Sequence, residues 1–408
     1  MRLWMIFHVA GKEIRSTLRD RRAILSNLLV PLLLLPIVML GLPLLIGGLV
    51  SQQQETASQI GIEGLDNLPD ALRQRLEAQN IALQATDTPE QAVREDTYSA
   101  ALSVPANVAE RIGQGENVEI TVYTKPGNLR SELDSGKIRS AVQSYRQEIV
   151  RERLEEAGLE PSILEPVTIS TVNANTEAEQ ASGQLSWLIP FFIAIWTLSG
   201  GQMTAIDATA GEKERGTLEV LLVAPIRRSE VVVGKFVATL LFGLSAALMA
   251  IVGYILGGTI LRSLFSDMMG DQASEFTQVM GGSLSVGPLS VVLLVVSTLL
   301  LAMLIAALLI GITSFARSFR EAQTYLAPLS FLLILPAISL QFSELLDFGP
   351  LIYLVPVVNA LLLMDDIVTG SAGALPVLLT WASLLAFAAL LLDFAYRSFK
   401  REGVIFRT

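Results

Sequence analysis

Six stretches of this chain are apolar for long enough to cross a bilayer, and that constrains every other segment. Residues 24–49 carry no charge at all. Five further apolar segments come after them, at about 185–206, 231–260, 287–315, 322–342 and 374–396. A helix satisfies its own backbone groups in lipid, so the reading is an α-helical membrane protein with six transmembrane helices. Composition agrees: 51% of the 408 residues are hydrophobic. The mean hydropathy of +0.53 lies above the usual range of soluble domains. Pro31, Pro36 and Pro43 predict kinks in the first span.

The spans divide the chain into parts. Residues 1–23 read as an amphipathic interfacial helix, with Leu3, Phe7, Ala10, Ile14 and Leu18 on one face. Lys12, Arg15, Arg19 and Arg22 lie on another. The apolar run after this helix is too long for a cleaved signal peptide. The first transmembrane helix covers 24–50. Residues 51–183 are polar and predict a soluble α/β domain. Its strand-like stretches are Gln59–Ile62, Tyr98–Val104, Val118–Thr124 and Val167–Val172. Thr88-Pro89-Glu90-Gln91 reads as a capped helix start, and Ser131–Ala157 as a long helix ended by Gly158. Thr176–Glu179 is a capping box before the membrane is re-entered. Residues 184–408 hold the remaining five spans, the fourth of which opens at a capping box, Ser318–Glu321.

Charge sets the orientation. Arg2 to Arg22, then Lys213, Arg215, Arg227, Arg228, Lys235, Arg317, Arg320, Arg397 and Lys400 all fall on one side of a six-span chain. The loops of the other side, 262–286 and 343–373, hold only Arg262 among basic residues. By the positive-inside rule both termini are cytoplasmic and the α/β insert is extracytoplasmic.

The most informative polar segment lies between the second and third spans. Residues 207–236 hold a cluster of charges (Glu212, Lys213, Glu214, Arg215 and Glu219) and a short apolar run from Leu218. Pro225, a basic pair and Ser229-Glu230 as a helix start come next. This predicts a charged elbow with a short helix of its own. It offers side chains of both signs and an apolar face to a partner groove, or else it is a solvated loop.

Other features exclude or suggest chemistry. There is no cysteine and one histidine, His8, which argues against thiolate sites, zinc sites and a Ser-His-Asp triad, and so against an intramembrane enzyme. Leu198-Ser199-Gly200-Gly201-Gln202 spells the ABC ATPase signature, but it lies inside a span and no P-loop accompanies it. The chain is not expected to bind ATP. Small residues in a span serve close helix packing. Asp207, Asp393, Asp365 and Asp366 lie near span ends, where acids either mark ion paths or pair with arginine or water. Residues 346–370 are broken by Pro350 and Pro356 and predict an outer re-entrant segment with Asn359 at its bend, or else a plain outer loop packed on the helix ends.

The run from Gly211 to Phe236 resembles the motif between the second and third spans of ABC-2 type permeases, the membrane subunits of ABC exporters. With the stretch Pro356–Gly370, it resembles NatB-like sodium-efflux permeases. The resemblance implies a type V ABC exporter-like fold in which two permease chains pair, as a homodimer or a heterodimer. It implies ABC ATPase subunits as separate partners, which carry the ATP and Mg²⁺; no cofactor is expected in this chain. Residues 209–226 would be the coupling helix. Gly211, Glu212, Lys213, Glu214, Arg215, Gly216, Thr217, Leu218, Glu219 and Pro225 would meet the ATPase. The candidate transport path is Ser199, Gln202, Thr204, Asp207, Asn359 and Asp393, with at most a transient Na⁺ as metal. Export of a drug, lipid or peptide is the alternative, and a sensor or scaffold that needs no ATPase is a further one. The partners expected are proteins and membrane lipid of the cell membrane, not nucleic acid.

Overall fold

The computed structural model describes residues 2–38, 41, 58–160, 186–217, 225–269, 288–340 and 349–400. The chain divides into two compact units, Met1–Leu42 with Ala174–Thr408, and Pro43–Asn173. Helix α1 is Leu3–Arg19. Helix α2, Leu25–Val38, opens with a π-turn at Leu25–Leu29. Pro31 comes just after that turn and has no N–H, so one backbone carbonyl of the turn loses its helical donor.

The second unit is a small α/β domain. In chain order it comprises β1 (Ser58–Glu63), α3 (Asp70–Ala78), β2 (Ile81–Ala85) and α4 (Pro89–Arg94). Next come β3 (Ala101–Ser103), α5 (Val108–Gly113), β4 (Thr121–Tyr123) and α6 (Leu129–Glu156). The sheet order is β2-β1-β3-β4, with β1 parallel to β2 and β3, and β4 antiparallel to β3. Ile60, Ile62 and Leu102 pack against Leu72 and Leu76 of α3 and Ile138 of α6. Gly61 leaves room for the Tyr98 ring, 2.7 Å from where a Cβ would stand. Strand β2 is absent from the sequence reading, because Ile81-Ala82-Leu83-Gln84-Ala85 is short and carries no β-branched residue after Ile81. The cap at Thr88 does not form as expected: its side chain bonds no helix N–H, and Gln91 turns forward to Glu95 at 2.8 Å. The expected strand at Val167–Val172 and the cap at Thr176–Glu179 lie outside the described residues.

The membrane unit continues with α7 (Leu188–Glu214), α8 (Arg228–Met269), α9 (Pro288–Thr313) and α10 (Phe319–Ser339). After a 3₁₀ turn at Pro350–Leu354 come α11 (Val358–Thr369) and α12 (Ala374–Lys400). Five of the described helices (α7, α8, α9, α10 and α12) are long and apolar enough to cross a membrane. The sequence reading has six. The difference is the first span, of which α2 is the part described.

Helices α7 and α8 approach closely through small residues. A Cβ on Gly200 would lie 2.6 Å from Ala246 Cβ, and one on Gly243 would lie 2.8 Å from the Thr197 carbonyl. The glycines of the ATPase-like string are therefore packing residues. The 318–321 cap is half of the expected box. Ser318 Oγ accepts from Glu321 N at 3.2 Å, while the Glu321 carboxylate reaches Arg317 N at 2.7 Å. Ser229 lies inside α8 and is not its cap. The Glu230 carboxylate takes that role, accepting Arg227 N at 3.1 Å.

Candidate functional site

The elbow begins later than the charge pattern suggests. Helix α7 does not end at Ile206. It runs through a π-turn at Asp207–Gly211 to Glu214, and it closes at Gly216, whose φ of +67° suits glycine. A π-turn inserts one residue, so the residues beyond it are rotated by roughly 100° about the helix axis. Asp207 and Arg215 meet on the outside at 2.9 Å. Gly211 leaves their pair room, since a Cβ there would lie 3.1 Å from Asp207 Oδ1. Glu212 faces inward and is buried.

Glu212 belongs to a knot of four charges, three of them buried. Lys235, on α8, is wholly buried. Its ammonium donates to Glu212, to the Ala208 carbonyl and, at 3.2 Å, to Glu13 on α1. Lys12 donates to Glu212 and, at 3.3 Å, to Glu13. Two lysines and two glutamates from three helices thus neutralise one another, as buried charges require. Partial burial works against the Lys12 charge, but its bond to Glu212 and the nearby Glu13 outweigh it and hold its pKa above the ordinary lysine value.

The other elbow charges are also taken up by the chain itself. Lys213 donates to the Ser314 carbonyl and, at 3.3 Å, to that of Ala316, just beyond α9. Glu214 accepts Phe319 N at 2.8 Å, at the start of α10. At the far end of the elbow, the Arg2 backbone N donates to Glu230 at 2.7 Å and its guanidinium to the Pro225 carbonyl at 2.7 Å. Gly216 and Thr217 come directly after the last of the α7 charges. Leu218 and Glu219, with the expected short helix, lie outside the described residues.

Helix α1 presses against α8 where Gly234 lies. A Cβ there would stand 2.6 Å from Val9 Cβ. Ile6, Val9 and Ala10 are buried, whereas Leu3, Trp4, Phe7 and Leu18 are at least half exposed. The helix therefore has two apolar faces, one packed and one open. Ala10, assigned by spacing to the open face, belongs to the packed one.

The candidate path residues do not form one group. Ser199 and Thr204 line a cavity of ≈ 20 Å³, together with Asn27 of α2, Thr17 of α1 and Phe242 of α8. Gln202 is not on that wall, and Asp207 is held by Arg215. Asp393 pairs with Arg397 one turn on at 2.7 Å and is half exposed. Asn359 lies in the first turn of α11, buried, and donates to the Tyr353 carbonyl at 3.0 Å. Just before it, Val357 has a φ of +74°, a strained value for a β-branched residue. Tyr353 Oη donates to Asp366 at 2.6 Å. Burial raises the Asp366 pKa above the ordinary carboxylate value, against the bonds from Tyr353 and Ser371 that lower it. Burial and that same carboxylate push the Tyr353 phenol up.

Sequence reasoning missed Lys12, Glu13, Glu230 and Lys235 as partners of the elbow. One signal was present: Lys235 is a lone charge inside an apolar segment, which calls for an opposite charge nearby.

Comparison with known proteins places these features. A family described as ABC-2 family transporter protein matches residues 7–404. The chain is 29% identical over 403 residues to the ABC transporter permease protein NatB of Bacillus subtilis, covering 95% of this chain and 98% of that protein. It is 26% identical over 137 residues to the uncharacterized protein YhcI of the same organism, covering 33% of this chain and 42% of that one.

Proposed function

Because the chain belongs to the ABC-2 family of transporter proteins, we propose that it is the membrane permease of an ATP-driven exporter, with Na⁺ as the exported substrate. ABC-2 permeases are transport components, not enzymes, and the family implies an ABC ATPase partner. In the proposed arrangement the ATPase is a separate chain. It docks on residues 209–226 from the cytoplasmic side, two permease chains pair, and the 51–183 domain faces outward.

The observation that carries the coupling role is the wiring of the elbow. Glu212, Lys213 and Glu214 each bond a different part of the membrane unit: α1 with α8, the end of α9, and the start of α10. A push on the adjoining segment therefore loads four helices together. Glu212 contributes from inside the knot, while the ATPase meets Gly216, Thr217 and the residues beyond them. Sodium rests on the similarity of Gly211–Phe236 and Pro356–Gly370 to NatB-like sodium-efflux permeases.

The test is radioactive Na⁺ uptake into inside-out vesicles containing this chain and its co-expressed ATPase, with membrane potential and pH gradient collapsed. ATP-dependent accumulation supports sodium export. Hydrolysis without accumulation refutes Na⁺ as substrate and leaves a drug, lipid or peptide. Failure of the ATPase to co-purify refutes the permease role itself. Asp207→Asn should weaken uptake while assembly persists; unchanged uptake would remove Asp207 from the path.

A further inference from the structure

We propose that the small cavity between α2, α7 and α8 is a binding site for one dehydrated monovalent cation, Na⁺ by size class, held by neutral oxygens. The choice of Na⁺ over K⁺ rests on the sodium reading above; the site itself rests on the geometry.

Three observations build it. Thr204 is only 2% exposed, lines the cavity, and its Oγ1 has no hydrogen-bond partner. Several threonines in these helices fold their hydroxyls back on the preceding turn, namely Thr197 to Ile193 O at 2.6 Å, Thr209 to Ala205 O at 2.6 Å and Thr298 to Leu294 O at 2.7 Å, whereas Thr239 and Thr380 share the unpaired state of Thr204 but do not line this cavity. Of the three unpaired threonines, Thr204 is the one that lines the cavity. A buried hydroxyl left unpaired is costly, so an occupant that pairs with it is favoured.

Second, Asn27 sits at the centre of the π-turn of α2 and is also buried. Its amide nitrogen donates to Phe242 O at 3.1 Å and Ser245 Oγ at 3.4 Å. The oxygen, at the other end of the amide, lies against Gly200. Gly200 is required there, because a side chain would fill the space. Third, Ser26, Ser199 and Thr17 add hydroxyls to the lining.

The size and chemistry of the lining select the ligand. A volume of ≈ 20 Å³ holds a single water-sized species, since one water needs roughly 10–15 Å³. The lining offers several oxygens and no carboxylate. Hard divalent cations need carboxylates, so an oxygen-only neutral shell suits a monovalent ion. The Ser-Gly-Gly string thus has a use unrelated to nucleotide: Gly200 admits the Asn27 oxygen, and Ser199 faces the same space.

The test is the thermal unfolding midpoint of the full chain with its ATPase in lipid nanodiscs. It is measured against NaCl, KCl and choline chloride at constant ionic strength. For the wild type we expect a saturable rise with Na⁺ that choline does not reproduce. Thr204→Val deletes a hydroxyl that bonds nothing in the protein. Without Na⁺ its midpoint should equal or exceed the wild type, and its half-saturating Na⁺ should rise at least about tenfold. Ser199→Ala should raise half-saturation in the same direction and gives a second reading if Thr204→Val folds poorly. A wild type indifferent to Na⁺ holds water only and overturns the proposal. So does Thr204→Val with an unchanged Na⁺ response. A Na⁺-dependent shift without ATP-driven flux supports the site and refutes sodium export alone.

Discussion

Replacing Lys235 by methionine removes the central cation of the buried knot at little cost in shape. The side chain is wholly buried, and methionine is unbranched and nearly as long. The effect is therefore mainly electrostatic. Removing one partner of a buried ion pair costs about 3–5 kcal/mol, because the other charge is left uncompensated. Here two carboxylates, Glu13 and Glu212, would be left to share Lys12. Lys12 is 52% exposed, so solvent screens part of its field. It still touches both carboxylates, which places the expected loss near the lower end, about 3 kcal/mol. Adding Glu212→Gln restores neutrality, with Glu13 facing Lys12. The double variant should recover about 2 kcal/mol relative to the sum of the single losses. The assay is reversible unfolding in mixed micelles at rising SDS fraction, read by tryptophan fluorescence. Lys235→Met within about 1 kcal/mol of the wild type would refute the electrostatic argument. Strict additivity of the two substitutions would refute the idea that the four charges act as a unit.

The packing and the polar contacts carry three further outcomes. Gly234→Ala puts a Cβ 2.6 Å from Val9 Cβ and 3.1 Å from Ile6 O. It should cost about 1–3 kcal/mol and loosen α1, with faster tryptic cleavage at Arg15 and Arg19; an unchanged cleavage rate contradicts this. Asp393→Asn breaks only a half-exposed pair and should change stability by less than about 0.5 kcal/mol without affecting transport; lost transport would make Asp393 a path residue. Asp366 is a carboxyl whose pKa is raised by burial. Its stabilising contribution is fully present below the ordinary carboxylate value and is lost as pH rises through the raised one. Asp366→Asn keeps an acceptor for Tyr353 and should flatten that arm of the midpoint–pH curve as pH rises above the ordinary carboxylate range. An equal fall in the variant would assign the pH dependence to another group.

The five spans described were legible because each carries a long apolar stretch, a property of composition that needs no knowledge of neighbours. The end of the long helix α6 was legible for a different reason, because Gly158 sets it locally, whereas the Asn128 cap, accepting Arg130 N at 3.0 Å, starts the helix two residues before the expected Ser131. Features decided by distant partners were beyond the reach of sequence. The helix continues past Asp207 because a π-turn rotates Glu212 toward Lys235 and Lys12. A charge cluster looks like a solvated loop until the opposite charges that bury it are known. Asn27 likewise gives no signal of its own within the uncharged first span. It becomes a candidate ligand only when Gly200 of α7 is placed beside it.

The same contacts bear on why this elbow is wired with charge instead of apolar packing. A buried ion knot is a weak source of net stability, since desolvation consumes most of the attraction. An apolar cluster of similar volume would hold α1, α7 and α8 together at least as well, and it would also let them slide past one another in small steps. A salt-bridged knot does not slide. Moving Glu212 away from Lys235 by even a few ångströms exposes an unpaired charge to a low-dielectric interior, so intermediate positions are disfavoured and the elements move together or not at all. On the proposed reading, that is the property a coupling segment needs. A push delivered beyond Gly216 would otherwise be absorbed by bending at the π-turn, where the helix is least regular. With Ala208 O and Glu212 both bonded to Lys235, the turn is clamped from the two sides of its irregular residues. The displacement then passes to α8, through Lys235, and to α1, through Lys12 and Glu13.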